Sequence, residues 1–344
     1  RVDDRDEEPP PLDDRGAARW TYAITPRRRG EHAVGPLTVR VRGPWGLAWA
    51  QRSLLAGDRR RVFPQVRWDG DVGRMLALAH RRQLGQAPLR RHGVGSEPYA
   101  LREYRPGDPP ARIHWKATAR HSRLISREDT WERGNRLVIL LDCARAMASA
   151  EAVRTKLDHA LAAALALVRV AAARGDRVTV VAFSDRIDRV VRIRSAGVSR
   201  AYRALYDVEA RLVEPAYDVA GEQALRIEPR SATVVVLTSV VDLAAAELLR
   251  EAMLSLGRRN RVVLLNLEDP ELAALARDPP ATVEDAFAKV SALEILLANR
   301  RLARELRRHG VRAATIGADR LAWQALDSYL AVSGGSAALR PMAS

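Results

Sequence analysis

From Asn135 onward the chain alternates short, continuous apolar runs with longer segments whose apolar residues recur every three to four positions, and few folds accommodate that rhythm. The runs are Leu137 to Leu141, Arg177 to Phe183, Val190 to Ile193, Thr233 to Thr238, Arg261 to Leu267 and Val311 to Ile316. They are too continuous to be half exposed, so they belong to a sheet covered on both faces. Between the first two runs, Val153, Leu157, Leu161, Leu165 and Val168 fall on one helical stripe, with Gly175 where a left-handed cap would end the helix. Further helices are predicted over Ser199 to Leu212, Asp242 to Leu256 with Gly257 as cap, Thr282 to His309 with Gly310 as cap, and Leu321 to Ala331. Alternating strands and helices imply a doubly wound, mainly parallel sheet with right-handed crossovers. Val190 to Ile193 follows its predecessor too closely for a crossover and is expected as an antiparallel edge strand.

The upstream part reads differently, and a chain of 344 residues has room for more than one core. Residues 1–16 form an acidic, proline-rich lead-in with Asp3, Asp4, Asp6, Glu7 and Glu8 ahead of Pro9, Pro10 and Pro11. Residues 17–66 carry short alternating runs at Trp20 to Thr25, Gly35 to Arg42, Gly46 to Ser53 and Arg60 to Val66, broken by Gly and Pro, which predicts a small antiparallel β-rich domain. Residues 67–134 form a linking segment with a short helix over Asp71 to Leu84 and a loop around Gly93 to Ser96. The α/β domain then runs over 135–336, and 337–344 is a tail. Six of the seven tryptophans precede Asn135, so composition changes where the boundary is placed.

A net charge of +15 raises the question of nucleic acid, since surplus cations neutralise phosphates. All but three of the 57 basic residues are arginine, in a chain equally heavy in alanine, which reads as codon bias as readily as selection for charge. The arginines are also dispersed among acids, as in Arg186-Ile187-Asp188-Arg189, so no specific nucleic-acid binding is expected. Cys143, the single cysteine, rules out an intrachain disulfide framework. No stretch reaches the roughly 18 apolar residues of a membrane helix, and Arg169 interrupts the best one, His159 to Ala173. The chain begins at Arg1, not Met, which leaves room for an anchor upstream.

Two stretches carry a family resemblance. The segment Leu101-Arg102-Glu103-Tyr104-Arg105-Pro106-Gly107-Asp108, followed by Arg112-Ile113-His114-Trp115-Lys116-Ala117-Thr118-Ala119-Arg120, closely resembles the signature of the domain-of-unknown-function 58 (DUF58) family. Arg29-Gly30-Glu31-His32, Gly35-Pro36-Leu37 and Pro44-Trp45-Gly46-Leu47 are similar to that family's β-domain motifs, with Gly43 where members usually have Asp. Leu137 to Met147 resembles the opening of its von Willebrand factor A-like domain. The resemblance implies an A-like α/β fold behind a β-rich domain, two transmembrane helices upstream, and a soluble portion facing the cytoplasm. It also implies a MoxR-type AAA+ ATPase as partner, often accompanied by a transglutaminase-like membrane protein.

In A domains the first strand ends in an Asp-x-Ser-x-Ser motif that holds Mg²⁺ with oxygen ligands. Here it reads Asp142-Cys143-Ala144-Arg145-Ala146, and Thr238-Ser239 stands where an acid often follows the fourth strand. Asp142 is therefore the one weak metal candidate, no metal or other cofactor is expected, and Asp142 should pair with an arginine or accept backbone N–H bonds. Asp242 is read as a helix cap.

In the signature, Arg102, Glu103, Tyr104, Gly107, Asp108, Arg112, His114, Trp115, Lys116 and Arg120 form either a recognition surface or an interdomain clamp with Trp115 packed beneath the A-like domain. His114 reads as structural, and no nucleophile, phosphate loop or catalytic trio can be assembled, so no catalysis is expected. The expectation is a non-catalytic, protein-binding adaptor anchored at the cell membrane. The alternatives are a metal-dependent ligand-binding module and, behind it, a nucleic-acid binder.

Overall fold

The computed structural model describes residues 25–26, 28–34, 37–43, 45–54, 58–64, 98–104, 113–129, 135–151, 154–194, 197–229 and 231–333. The strand expected over Trp20 to Thr25, the helix over Asp71 to Leu84, the loop at Gly93 to Ser96, the lead-in and the tail lie outside those residues, save for Thr25.

Upstream, β1 (Gly30–Val34) pairs antiparallel with β4 (Asp58–Val62), and β2 (Leu37–Arg42) pairs with β3 (Trp49–Leu54), one pair nested within the other. Gly46, at φ +69, allows the β2–β3 turn, where a Cβ would strike the Arg42 guanidinium. The stretch expected as mere linker contains its own unit. In it β5 (Pro98–Glu103) pairs antiparallel with β6 (Ile125–Asp129), and α1 (Trp115–His121) lies between them in sequence.

The A-like domain contains β7 (Arg136–Asp142), the two-residue strands β8 (Ala150–Glu151) and β9 (Arg154–Thr155), α2 (Lys156–Ala173), β10 (Arg177–Phe183) and β11 (Ile187–Ile193). It continues with α3 (Val198–Leu205), α4 (Tyr217–Ile227), β12 (Thr233–Thr238), α5 (Leu243–Gly257), β13 (Arg261–Leu267), α6 (Pro270–Arg277), α7 (Val283–Arg308), β14 (Arg312–Ile316) and α8 (Leu321–Val332). The sheet runs β11-β10-β7-β12-β13-β14, parallel except for the antiparallel edge strand β11.

The period-2 geometry of strands explains the continuous apolar runs. Leu137, Ile139 and Leu141 of β7 face a core shared with α2 and α8, while Val138 and Leu140 face another shared with α4, α5 and α7. Strands β12 and β13 divide their residues between the same two cores. Helix α2 is buried on nearly all sides, and its small alanines let it sit between sheet and α8.

Several boundaries differ from the sequence reading. The edge strand begins at Ile187 instead of Val190, because the tight turn at Ser184 to Arg186 feeds it directly. The helix expected to reach Leu212 stops at Leu205; beyond it the Arg211 N–H bonds Cys143 O at 2.7 Å, which pulls the backbone off the helical path. Helices α4 and α6, of 11 and 8 residues, are additional to the helices predicted. Gly257 is the last residue of α5, not its cap; a Cβ there would stand 3.3 Å from Val311 Cγ2, so the glycine serves close packing. Gly175 and Gly310 do take positive φ where expected.

The β-rich part docks on the A-like domain through Arg29, which donates to Asp158 and, at 3.1 Å, to Tyr206 O. Phe63 packs on the Tyr206 ring at 5.6 Å between centroids, and the Arg61 guanidinium lies 5.7 Å from the same ring. Burial pushes the Asp158 carboxyl up, but the Thr155 N–H and the Arg29 guanidinium outweigh it and leave the group below its ordinary value. Arg29→Ala is expected to speed amide exchange in β1 and β4 about tenfold while β7 and β10 stay protected, as hydrogen exchange would read.

Candidate functional site

In open α/β sheets, ligands gather outside the carboxyl ends of the strands where the winding reverses, which here is the gap between β7 and β12. Asp142 ends β7 there and is fully buried. Its Oδ1 accepts the Ala144 N–H at 2.8 Å, and its Oδ2 accepts the Thr238 hydroxyl. The Tyr217 hydroxyl lies 2.9 Å from Thr238 Oγ1 and closes the network. The expected backbone partner is present, and the expected arginine is absent from its bonding partners among the described residues.

Burial raises the Asp142 pKa from 3.8 to about 6, although the Thr238 hydroxyl, the Ala144 N–H and the Tyr217 hydroxyl all favour the charged form. Desolvation therefore outweighs the hydrogen bonds. The same burial pushes Tyr217 and the Cys143 thiol up, with the Asp142 charge adding to both, so Cys143 has little thiolate character.

Arg145 points elsewhere. It pairs with Glu214 at 2.7 Å and with Asp242 at 3.3 Å, and Asp242 also caps α5 by accepting the Ala245 N–H. The segment after α3 lies over the end of β7: Arg211 N–H bonds Cys143 O, Arg145 N–H bonds Val213 O at 3.0 Å, and Ala216 N–H bonds Ser184 O at 2.8 Å. The Arg211 side chain reinforces this by reaching Asp185 at 2.7 Å and Asp188 at 3.3 Å. At the crest Leu212 is 86% exposed.

Beside this corner lies a buried ion pair that sequence reasoning missed. The Lys156 ammonium, on a side chain 2% exposed, meets Asp269 and donates to Ser239 Oγ at 3.0 Å. Ser239 in turn donates to Leu267 O at 3.1 Å. Thus α2, the end of β12 and the loop after β13 are tied by one cation. Its signal in the sequence was rarity, because Lys156 is one of three lysines among 57 basic residues. Tyr217, Arg211 and Leu212 carried no comparable signal.

The oxygen donors left at the usual metal corner are few. Ala144 and Ala146 have none to offer, both Asp142 oxygens already accept bonds, and Ser239 is engaged with Lys156 and Leu267. Among the described residues no group of three or more His, Cys, Asp or Glu side chains is placed to hold a metal.

Of the signature residues, Gly107, Asp108 and Arg112 lie outside the described residues, and so does the side chain of Arg102. His114 accepts the Ala117 N–H at its Nδ1, 3.0 Å away, and so caps α1. Glu103 lies 3.7 Å from Arg123 on the surface, Tyr104 is half-buried and bonds Leu124 O through its backbone N–H, and Lys116 and Arg120 are exposed on α1. Trp115 is 67% exposed, which corrects the clamp reading that packed it beneath the A-like domain. The interdomain contact belongs instead to Arg29, Arg61 and Phe63.

A six-stranded sheet with its first strand central, an antiparallel edge strand beside the second and a buried aspartate at the end of the first strand defines a von Willebrand A-like domain. A small antiparallel β unit precedes it. The chain belongs to the family described as protein of unknown function DUF58, whose model matches residues 100–315, spanning the signature and most of the A-like domain. Among solved structures it is similar to the crystal structure of the SpRpn10 VWA domain, at 10% identity and a TM-score of 0.34 over 59% of this chain and 99% of that one. At that score the fold rests on strand order and register. No curated protein matches the chain.

Proposed function

We propose that this chain is a non-catalytic adaptor that binds another protein, membrane-anchored in its full-length form, with its soluble part in the cytoplasm and a MoxR-type AAA+ ATPase as working partner. A transglutaminase-like membrane protein fits the same assembly. The observation that carries the reading is the corner at Asp142: a buried, hydrogen-bonded carboxylate beneath a pinned segment that presents Leu212 to solvent. A corner built this way recognises a partner by shape and apolar contact and uses no bridging cation, because its oxygens serve the protein itself. The ATPase supplies the nucleotide chemistry. Family kinship supports the partner and the anchor; no helix of the described residues is long and apolar enough to cross a membrane.

Calorimetric titration with Mg²⁺ or Mn²⁺ is expected to give no heat of micromolar binding. Such binding, abolished by Asp142→Ala, would favour the metal-dependent module instead. Pull-down of the full-length protein from its own cells, with and without ATP, is expected to retain the AAA+ ATPase; absence under both conditions ends the adaptor reading. Trp115→Ala, at an exposed site, should change stability in urea unfolding by less than about 0.5 kcal/mol, and loss of the ATPase in the pull-down would then give the signature a recognition role and not a structural one.

A further inference from the structure

Helix α7 is 26 residues long, yet the sheet uses little of it. Ala292, Asn299, Leu302, Ala303 and Leu306 are its buried residues, so its C-terminal half packs on the sheet, while in its first half Ala292 is the one fully buried position and Ala286, Lys289 and Ile295 are half-buried. That first half is braced by α6, itself without a buried residue. On the opposite side Val283, Phe287, Val290, Leu293 and Leu297 follow one another at steps of four, three, three and four, which keeps them on one face. All are exposed, Val283 by 68% and Phe287 by 72%. The same ladder continues without a break through Arg301, Arg304 and Arg308, at steps of four, three and four. No carboxylate among the described residues forms an ion pair with these three arginines.

An exposed apolar ladder of this length, interrupted on its face only by Glu294, needs a reason, since single exposed hydrophobics are ordinary but contiguous ones mark an interface. The order along the ladder selects the occupant. A helix lying on an anionic membrane carries its basic residues along its whole length beside the apolar face, whereas here apolar and basic blocks succeed one another along the axis. A second copy laid parallel would set arginine against arginine. Laid antiparallel across the apolar block, it would bring Asp278, Glu284 and Asp285 toward the cluster, but Asp285 already accepts the Ala281 and Thr282 N–H groups, which leaves two carboxylates for three arginines.

We propose that this face of α7 docks an amphipathic helix of a partner protein whose apolar anchors, spaced three and four apart, meet Val283 to Leu297 and whose acidic end meets Arg301, Arg304 and Arg308. The arginine end sets orientation and speeds encounter, while the apolar end, centred on Phe287, supplies most of the affinity. The inference rests on the adaptor reading for its biological sense, but not on which ATPase or client brings the helix.

The test uses the full chain and a fluorescein-labelled 21-residue peptide with Leu at three- and four-residue spacing and Glu through its last two turns. The wild type should bind it, and Phe287→Asp and the double variant Arg301→Glu/Arg304→Glu should each weaken binding about tenfold or more. These sites are exposed, so circular dichroism and melting temperature should stay unchanged. A peptide with Gln in place of Glu should bind more weakly and lose its salt dependence.

No binding of the acidic peptide, or equal binding by all variants, overturns the proposal whatever the ATPase pull-down shows. So does variant-sensitive binding to phosphatidylserine vesicles without peptide binding, or self-association abolished by Phe287→Asp in sedimentation. Loss of the ATPase alone, with peptide binding intact, removes the adaptor reading and leaves the docking face standing.

Discussion

Lys156→Ala is expected to cost about 3–5 kcal/mol at neutral pH, the usual cost of breaking a buried ion pair by removing one partner. The cation is nearly fully buried, and its loss leaves Asp269 facing the space it vacated, with Ser239 losing a donor as well. Burial pushes Asp269 up, but the Lys156 ammonium and the Leu272 and Glu271 N–H groups hold it below its usual value of 3.8. A depressed carboxyl contributes stability above its unfolded pKa and loses it as pH falls through the folded one. The penalty should therefore be full at pH 7 and fade in acid. Lys156→Met with Asp269→Asn should recover most of it, since a neutral pair leaves no uncompensated charge and Asn still caps α6. Urea unfolding at pH 7 decides the matter: a loss under about 1 kcal/mol for Lys156→Ala would show that the pair is solvated and not structural.

Asp142→Asn should act in the opposite sense. A carboxyl raised from 3.8 to about 6 by burial costs the folded state as pH climbs through that window, because the unfolded chain releases its proton first. At 1.36 kcal/mol per pH unit the gap corresponds to roughly 3 kcal/mol. The amide retains an acceptor for the Ala144 N–H and can bond Thr238 without a charge. The variant is expected to be more stable than the wild type at pH 7.5, by up to roughly that amount, and to lose its advantage near pH 4. Equal stabilities at both pH values would mean that Asp142 stays charged at no cost. Read beside the metal titration, this result bears directly on the corner: a buried carboxylate that costs stability when charged is a candidate for a functional role and not for a stabilising structural anion.

Two of the three lysines make specific contacts, although their scarcity in the sequence reads only as a bias toward arginine. Lys156 holds the corner, and Lys289 donates to Asp278 O at 2.9 Å and to Arg277 O at 3.4 Å, satisfying carbonyls at the end of α6. An ammonium is a compact point charge that fits between Ser239 and Asp269, where a planar guanidinium would need more room. The tryptophans gave the opposite lesson. Trp45, Trp49 and Trp115 are exposed by 85%, 64% and 67%, so the described tryptophans before Asn135 do not build a core.

The sequence by itself determined the sheet. Apolar runs with no polar face can be accommodated only between two layers, and the spacing of Val190 to Ile193 from its predecessor forced an antiparallel edge. It also disclosed that Ala144 and Ala146 stand where hydroxyls would be required, since ligand chemistry is a property of side-chain type. Only the tertiary structure decided what Asp142 does instead, because Thr238 and Tyr217 reach it from elements some 75 to 96 residues away in sequence. Distance in the chain hides such networks from local pattern. The ladder on α7 was equally hidden: Val283 to Leu297 reads as an ordinary buried stripe until the fold places Ala292, Asn299 and Leu302 against the sheet and leaves the other face open. A helix of this length has more than one apolar face, and which one the core takes is settled by packing.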